Sequence, residues 1–236
     1  MTERSRWAAD AVAHVTGVSR GDALDRRLRV TLNFHPDRET GGRSVIQRLV
    51  DEHVYRSQFE TGTSNGGLTA HPGGSRWRWE QRIFGGAYDD ALPGERPKYG
   101  ALNHRERRVG GAPRFGSCHL RLGEPVLERT TFCFPDSALE PTQFATADRF
   151  DLTTDVEALV LDPCYRATSV EAHAAALPIA LEWHEGRRLP VDELRRHPDF
   201  RGPRIVEVGA EVAEQGWLDA RILGVAVAAA SHAPRT

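Results

Sequence analysis

Val54-Tyr55-Arg56-Ser57-Gln58-Phe59-Glu60-Thr61-Gly62-Thr63-Ser64-Asn65-Gly66-Gly67 reads as a short apolar extended segment that carries Arg56 straight into a loop of Gly, Ser, Thr and Asn. Val54 and Phe59 are expected to anchor that segment and hold the guanidinium still. Its planar fork of donors grips two phosphate oxygens at once, which an ammonium cannot do. The loop supplies the complementary half. Gly62, Gly66 and Gly67 allow close backbone approach and positive φ, while Thr61, Thr63, Ser64 and Asn65 offer small donors and acceptors. The layout suits a phosphate-bearing nucleotide. It is also what a surface turn behind an edge strand looks like, with Arg56 solvated.

Working outward, residues 4 to 53 read as helical around a strand-like run. Trp7, Val12 and Val15 share one helical face, and Val30 to Arg38 is strand-like until Pro36 ends it. A second helix covers 44 to 53, where Ser44 and Gln47 form a capping box and Ile46, Leu49 and Val50 supply the apolar stripe. On the other side, Arg76 to Gly86 alternates aromatics with charges before a Gly pair and fits a half-buried helix or strand. Residues 85 to 114 carry Gly, Pro and charge with little periodicity, a long functional or mobile loop.

Two strands follow, Phe115 to Leu122 and Leu127 to Phe134, separated by a turn at Gly123-Glu124-Pro125. A strand-helix-strand unit comes next: Glu157 to Asp162, a helix capped by Thr168 with Glu171 three residues on, and Ile179 to His184. No G-x-G-x-x-G follows either strand, so a Rossmann dinucleotide site is unsupported. Helices over 203 to 215 and 219 to 230, the latter capped by Asp219, close the chain. The expected organisation is an N-terminal helical segment over 1 to 50 leading into one compact domain over 51 to 236.

The 236 residues can bury roughly 70 to 75 per cent of the unfolded surface without a disulfide or metal staple. A net charge of -2 excludes a globally basic nucleic-acid binder, and Lys98 is the single lysine among 31 basic residues, which is the mark of a GC-rich coding sequence. Cys118, Cys133 and Cys164 are odd in number and lack a Cys-x-x-Cys pair, which argues for reduced thiols and a cytoplasmic setting. Neither a cleavable leader nor a run of about 20 apolar residues is visible, so a membrane span is not expected. Export by a leaderless route stays open.

Along Arg114 to Leu122, alternation puts Phe115, Ser117 and His119 on one face and Gly116, Cys118 and Leu120 on the other. Ser117 is a candidate site residue set against an ordinary sheet serine. It lacks the G-x-S-x-G of a nucleophile elbow. The histidines show no H-E-x-x-H or H-x3-5-H spacing, and His35-Pro36, His71-Pro72 and His197-Pro198 resemble turn elements, so a metal site is disfavoured. Arg76 to Trp79 and the Arg105 to Arg108 run suggest RNA contacts only weakly in a slightly acidic chain.

The run Tyr55 to Gly67, together with Lys98 to Asn103, Phe115 to Cys118 and Asp155 to Pro163, resembles a bacterial family long catalogued as a domain of unknown function. That family includes CteC-type effectors, mono-ADP-ribosyltransferases that modify a threonine of ubiquitin. The resemblance spans roughly residues 28 to 225. It implies an α+β fold of the ADP-ribosyltransferase kind, two small packed sheets around an NAD cleft with N-terminal and flanking helices. NAD is the implied substrate and a protein, ubiquitin among others, the implied acceptor.

By position, the resemblance gives Arg56 the NAD pyrophosphate and Ser117 the nicotinamide ribose or Arg56 itself, with Gly62, Ser64, Asn65 and Gly66 lining the dinucleotide. The expected catalytic Glu has no match in Ala147 to Thr154. Gln143, Glu140, Glu157 and Glu182 are the stand-ins. Such a carboxylate stabilises the positive charge that builds on the ribose as nicotinamide leaves. A chain without it can still bind NAD, so an impaired transferase-like binding module is the alternative.

Overall fold

Val30, Leu32 and Phe34 alternate with Thr31 and Asn33, and this period of two divides the central sheet into an apolar and a polar face. The computed structural model describes residues 5–20, 24–62, 70–134, 143–145, 152–186, 188–196 and 217–219. In chain order these form α1 (Arg6–Val18), β1 (Val30–Phe34), β2 (Glu39–Thr40), β3 (Arg43–Ser44), α2 (Val45–Glu52), α3 (Gln58–Thr61) and α4 (Ser75–Ile83). Then come β4 (Ala101–Leu102), β5 (Cys118–Leu122), β6 (Phe132–Phe134), β7 (Gln143–Ala145), α5 (Leu152–Asp155) and β8 (Val156–Leu161). The last are α6 (Ser169–Ala174), β9 (Ala180–Trp183), β10 (Arg188–Pro190) and β11 (Trp217–Asp219).

The architecture is α+β. A five-stranded mixed sheet has the order β4-β1-β5-β8-β9, antiparallel except where β9 runs parallel to β8 after the α6 crossover. Three two-stranded sheets, β2-β3, β6-β7 and β10-β11, accompany it. β1 comes from the first fifty residues yet lies between β4 and β5, which ties that segment into the rest.

Leu32, Phe34, Cys118, Leu120, Leu159 and Leu161 line the apolar face and pack with Ile46 and Leu49 of α2 and Val170 and Ala174 of α6. Burying each large aliphatic side chain contributes about 1.5–3 kcal/mol, so this face holds the sheet. α2 is legible in detail: the Ser44 side chain accepts from the Gln47 amide and Gln47 returns to the Ser44 amide. A smaller core joins Ala11 and Val15 of α1 to Ile83, Phe84 and Tyr88 at the end of α4.

The polar face is covered differently. Gly111 donates to Thr31 Oγ1 at 2.8 Å and Ala112 to Asn33 Oδ1 at 3.2 Å, while Asn33 Nδ2 donates to the carbonyls of Val109 and Gly116. These bonds fasten the segment after β4 across the sheet, so residues 85 to 114, expected as a long loop, include β4 and two 3-10 turns and are pinned over their last part.

Several local expectations are corrected. Val54 to Phe59 is not an apolar strand: Val54 is 49% exposed, and Ser57 and Glu60 close a capping box that starts α3 immediately after Arg56. Of the helix and strand alternatives expected for 76 to 86, the helix is present, as α4 over Ser75–Ile83, followed by turns from Phe84. The strand expected over Leu127 to Phe134 is shorter, because Gly123 is followed by a 3-10 helix over Glu124–Arg129, and only Phe132–Phe134 forms β6, which pairs with β7. Asp219 ends β11, and the helices expected over 203 to 215 and over 219 to 230 lie, apart from Asp219 itself, outside the described residues.

Candidate functional site

Arg56 sits on the short extended link between α2 and α3, its side chain 41% exposed. Its Nε meets Glu52 at 2.5 Å and its Nη1 meets Glu60 at 3.4 Å, leaving Nη2 without a partner among the described residues. Glu60 is held in turn by Lys98 at 3.0 Å. Arg43 and Arg48 approach Glu52 at 3.7 and 3.8 Å, so Arg43, Arg48, Arg56 and Lys98 face Asp51, Glu52 and Glu60. Arg43 and Arg56 are the open members at 48% and 41% exposure, whereas Glu52, Glu60 and Lys98 are 19%, 11% and 16% exposed, so an arriving phosphate meets the cluster at these two arginines. Gly62 closes α3 in the left-handed region at φ 62°, a conformation that favours glycine. Ser64, Asn65 and Gly66 lie outside the described residues.

Ser117 stands just before β5, 4% exposed, and among the described residues its Oγ has no nitrogen or oxygen partner, only the Cys118 thiol beside it. Gly116 beside it has φ 146°, and a Cβ there would lie 2.0 Å from the Phe34 carbonyl oxygen. That close approach requires glycine. His184 is spent on structure: its Nδ1 accepts from Gly186 at 2.9 Å, which makes Nε2 the donor to the Ser117 carbonyl at 2.8 Å. It does not serve the hydroxyl, so no Ser-His nucleophilic pair forms here. Cys118 is fully buried and its thiol is pushed up to about 12 by burial, which makes it inert.

The chain neighbours of Arg56 and Ser117, Tyr55 and Cys118, are linked through Phe34. The Tyr55 ring meets the Phe34 ring edge-on with centroids 6.2 Å apart, and Phe34 pairs in register with Cys118. Both candidate residues therefore flank the same end of the β1-β5 pair. Two of the four stand-in groups are occupied elsewhere: Glu157 bonds Arg29 at 2.7 Å and Arg121 at 3.0 Å, and Glu182 grips Arg121 through both oxygens. Gln143 begins β7 opposite Phe134, and Glu140 lies outside the described residues.

A cavity of about 270 Å³ opens on the polar face, where Arg27, Arg107 and Arg108 surround His119 and Arg121 of β5 and Glu182 of β9. Sequence reading placed the Arg105 to Arg108 run in a loop and His119 on a strand without joining them. The available signal was the i, i+2 spacing that puts His119 and Arg121 on one face.

His119 is 3% exposed and drawn down to about 4, first by burial and then by the electrostatic influence of His184 and Arg121 beside it. An unfolded histidine titrates near 6.5, so between about pH 6.5 and 4 the unfolded chain binds a proton that the folded chain refuses. Stability therefore falls as pH drops through that window, by about 2–3 kcal/mol from this group at pH 4.5. Denaturant unfolding at pH 7 and 4.5 checks it: His119→Gln should lose clearly less than the parent, and equal losses would contradict the assignment.

A family model described as Protein of unknown function (DUF3626) matches residues 29–154 and 151–236. The chain belongs to the DUF3626 family. The match takes in β1, the Arg56 link, β5 and the β8-α6-β9 unit, so both candidate residues and the cavity lie in the DUF3626 region. A search of curated proteins found no match. Among the described residues, no group of three His, Cys, Asp or Glu side chains gathers as a metal site, and no helix is long and apolar enough to cross a membrane.

Proposed function

We propose that this DUF3626 protein is an NAD-dependent mono-ADP-ribosyltransferase that modifies a protein side chain, with ubiquitin threonine as the first acceptor to test. One observation carries the reading: Arg56 and Ser117, distant in sequence, flank one end of β1-β5, the guanidinium with an unspent edge and the hydroxyl buried, among the described residues, with only the Cys118 thiol beside it. In this reading Arg56 holds the pyrophosphate and Ser117 orients the nicotinamide ribose. The bond between the ribose C1′ and the nicotinamide nitrogen breaks, the acceptor hydroxyl oxygen bonds to C1′, and its proton leaves to solvent. Without a well-placed carboxylate on the ribose, the rate drops on the order of 10²–10³.

A second reading, a transferase-like module that binds NAD or a protein partner without turnover, is favoured by the ion pairs that occupy Glu157 and Glu182. Labelled NAD incubated with ubiquitin separates the two. Label transfer that Arg56→Ala abolishes supports the enzyme, while NAD binding without transfer or hydrolysis supports the module. Absence of both binding and transfer retires both readings.

A further inference from the structure

We infer that Arg43 is the second arm of the diphosphate grip in which Arg56 is the first, an inference that rests on the nucleotide reading above. The chain repeats one short pattern at the two places. Arg43-Ser44-Val45-Ile46-Gln47 and Arg56-Ser57-Gln58-Phe59-Glu60 each set an arginine directly before an N-cap serine whose partner, three residues on, is Gln or Glu. Both capping boxes are closed, and both serines are extended, at ψ 160° and 163°. A closed box fixes the backbone that carries each guanidinium. Arg43 is fixed from its other side as well. Thr40 pairs with it across Gly41 and Gly42, whose φ of 58° and 75° are what a two-residue type I′ turn requires.

The two side chains meet at Glu52, the last residue of α2. One of its oxygens takes Arg56 Nε at 2.5 Å, and the other lies 3.7 Å from Arg43 Nη2. A single carboxylate therefore holds the two guanidiniums side by side. The helix itself does not account for an anion there, because the C-terminal end of a helix disfavours negative charge. Arg43 and Arg56 are 48% and 41% exposed, and Glu52 only 19%, so an incoming ligand meets the cations first. Each arginine keeps an unspent edge among the described residues. Arg56 Nη2 has no partner there. Asp51 holds Arg43 Nη1 at 2.8 Å, but Arg43 Nη2 stands too far from Glu52 for a hydrogen bond. Two guanidinium edges tied to one carboxylate suit two phosphates joined through one oxygen, one edge for each phosphate. A lone phosphate engages only one of them.

Calorimetric titration of the full chain with adenosine diphosphate, adenosine monophosphate and NAD tests it. The expected result is saturable binding of the diphosphate, at least tenfold weaker binding of the monophosphate, and at least tenfold weakening of the diphosphate in both Arg43→Ala and Arg56→Ala. Monophosphate affinity should change less than threefold in Arg43→Ala, which leaves both capping boxes intact and should keep the parent's melting curve. Arg43→Lys keeps the charge beside Asp51 and Glu52 but not the planar fork, so it should fold as the parent does and weaken the diphosphate at least fivefold. Arg26→Ala controls for general charge: that side chain is 58% exposed and bonded to Glu124 and Glu128, and its loss should leave the affinity unchanged. No saturable heat with the diphosphate, or a diphosphate affinity unchanged in Arg43→Ala or Arg43→Lys, would overturn the second arm. NAD binding weakened by Arg56→Ala but not by Arg43→Ala overturns it too, and leaves the NAD proposal standing. Diphosphate bound through both arginines by a chain that does not take NAD supports the grip and retires the NAD proposal alone.

Discussion

Glu80→Ala is expected to unfold the protein or bring it close to unfolding. Glu80, 1% exposed on α4, receives Arg96 Nη1 at 2.7 Å on one oxygen and the Tyr99 hydroxyl at 2.8 Å on the other. Burial pushes its carboxyl up, and the buried Arg96 opposes that by favouring the charged form. Truncation removes the anion and leaves the Arg96 guanidinium, whose side chain is 5% exposed, with no carboxylate partner among the described residues. Breaking a buried pair from one side costs about 3–5 kcal/mol, against a total stability of about 5–15 kcal/mol.

The network around Glu80 also reaches the candidate site. Arg96 lies over the Phe59 ring at 4.3 Å and Ser57 donates to the Pro93 carbonyl at 2.9 Å, so α4 and the segment after it brace the helix that follows Arg56. Urea unfolding should show the loss, with Glu80→Gln milder because an amide still accepts from Tyr99. A Glu80→Ala variant within 1 kcal/mol of the parent would contradict the buried pair.

The second large effect belongs to Gly116→Ala. A Cβ at this position meets the Phe34 carbonyl oxygen at 2.0 Å and carbon at 2.1 Å, and backbone atoms cannot rotate away as a side chain does. Either β1 and β5 part locally or Ser117 moves with its neighbour. Overpacking and a strained backbone each cost about 1–3 kcal/mol, so a loss of about 3–5 kcal/mol is expected. Gly62→Ala is the control. Its φ is 62° with nothing within 4 Å, so only the conformational cost of about 1–2 kcal/mol applies. Equal melting temperatures for the two variants would contradict the close approach.

Local patterns carried most of what was legible in the sequence. The Ser44-Gln47 capping box, the alternation along β1 and β5, and the β8-α6-β9 crossover all depend on residues a few positions apart. The link at Arg56 was misjudged because Val54 and Phe59 suggested an anchored strand, whereas the Ser57-Glu60 box nucleates a helix one residue later. That signature was present and outweighed the apolar pair.

Strand pairing was less legible. β6 pairs with β7 rather than β5, and nothing local states which strand a short apolar run will meet. The cavity was the least legible part, since it is assembled from Arg27 before β1, Arg107 and Arg108 after β4, His119 on β5 and Glu182 on β9. Arg56 and Ser117 could be singled out by residue type. Their shared position depends on the ring contact of Tyr55 with Phe34 and on the register of Phe34 with Cys118, which are long-range.

The central claim is that Arg56 and Ser117 belong to one nucleotide site, and titration of NAD into the full chain tests it most directly. The account predicts saturable binding in the micromolar to millimolar range, weakened at least tenfold in both Arg56→Ala and Ser117→Ala with the fold intact. Absence of saturable heat, or affinity unchanged in both variants, would contradict it.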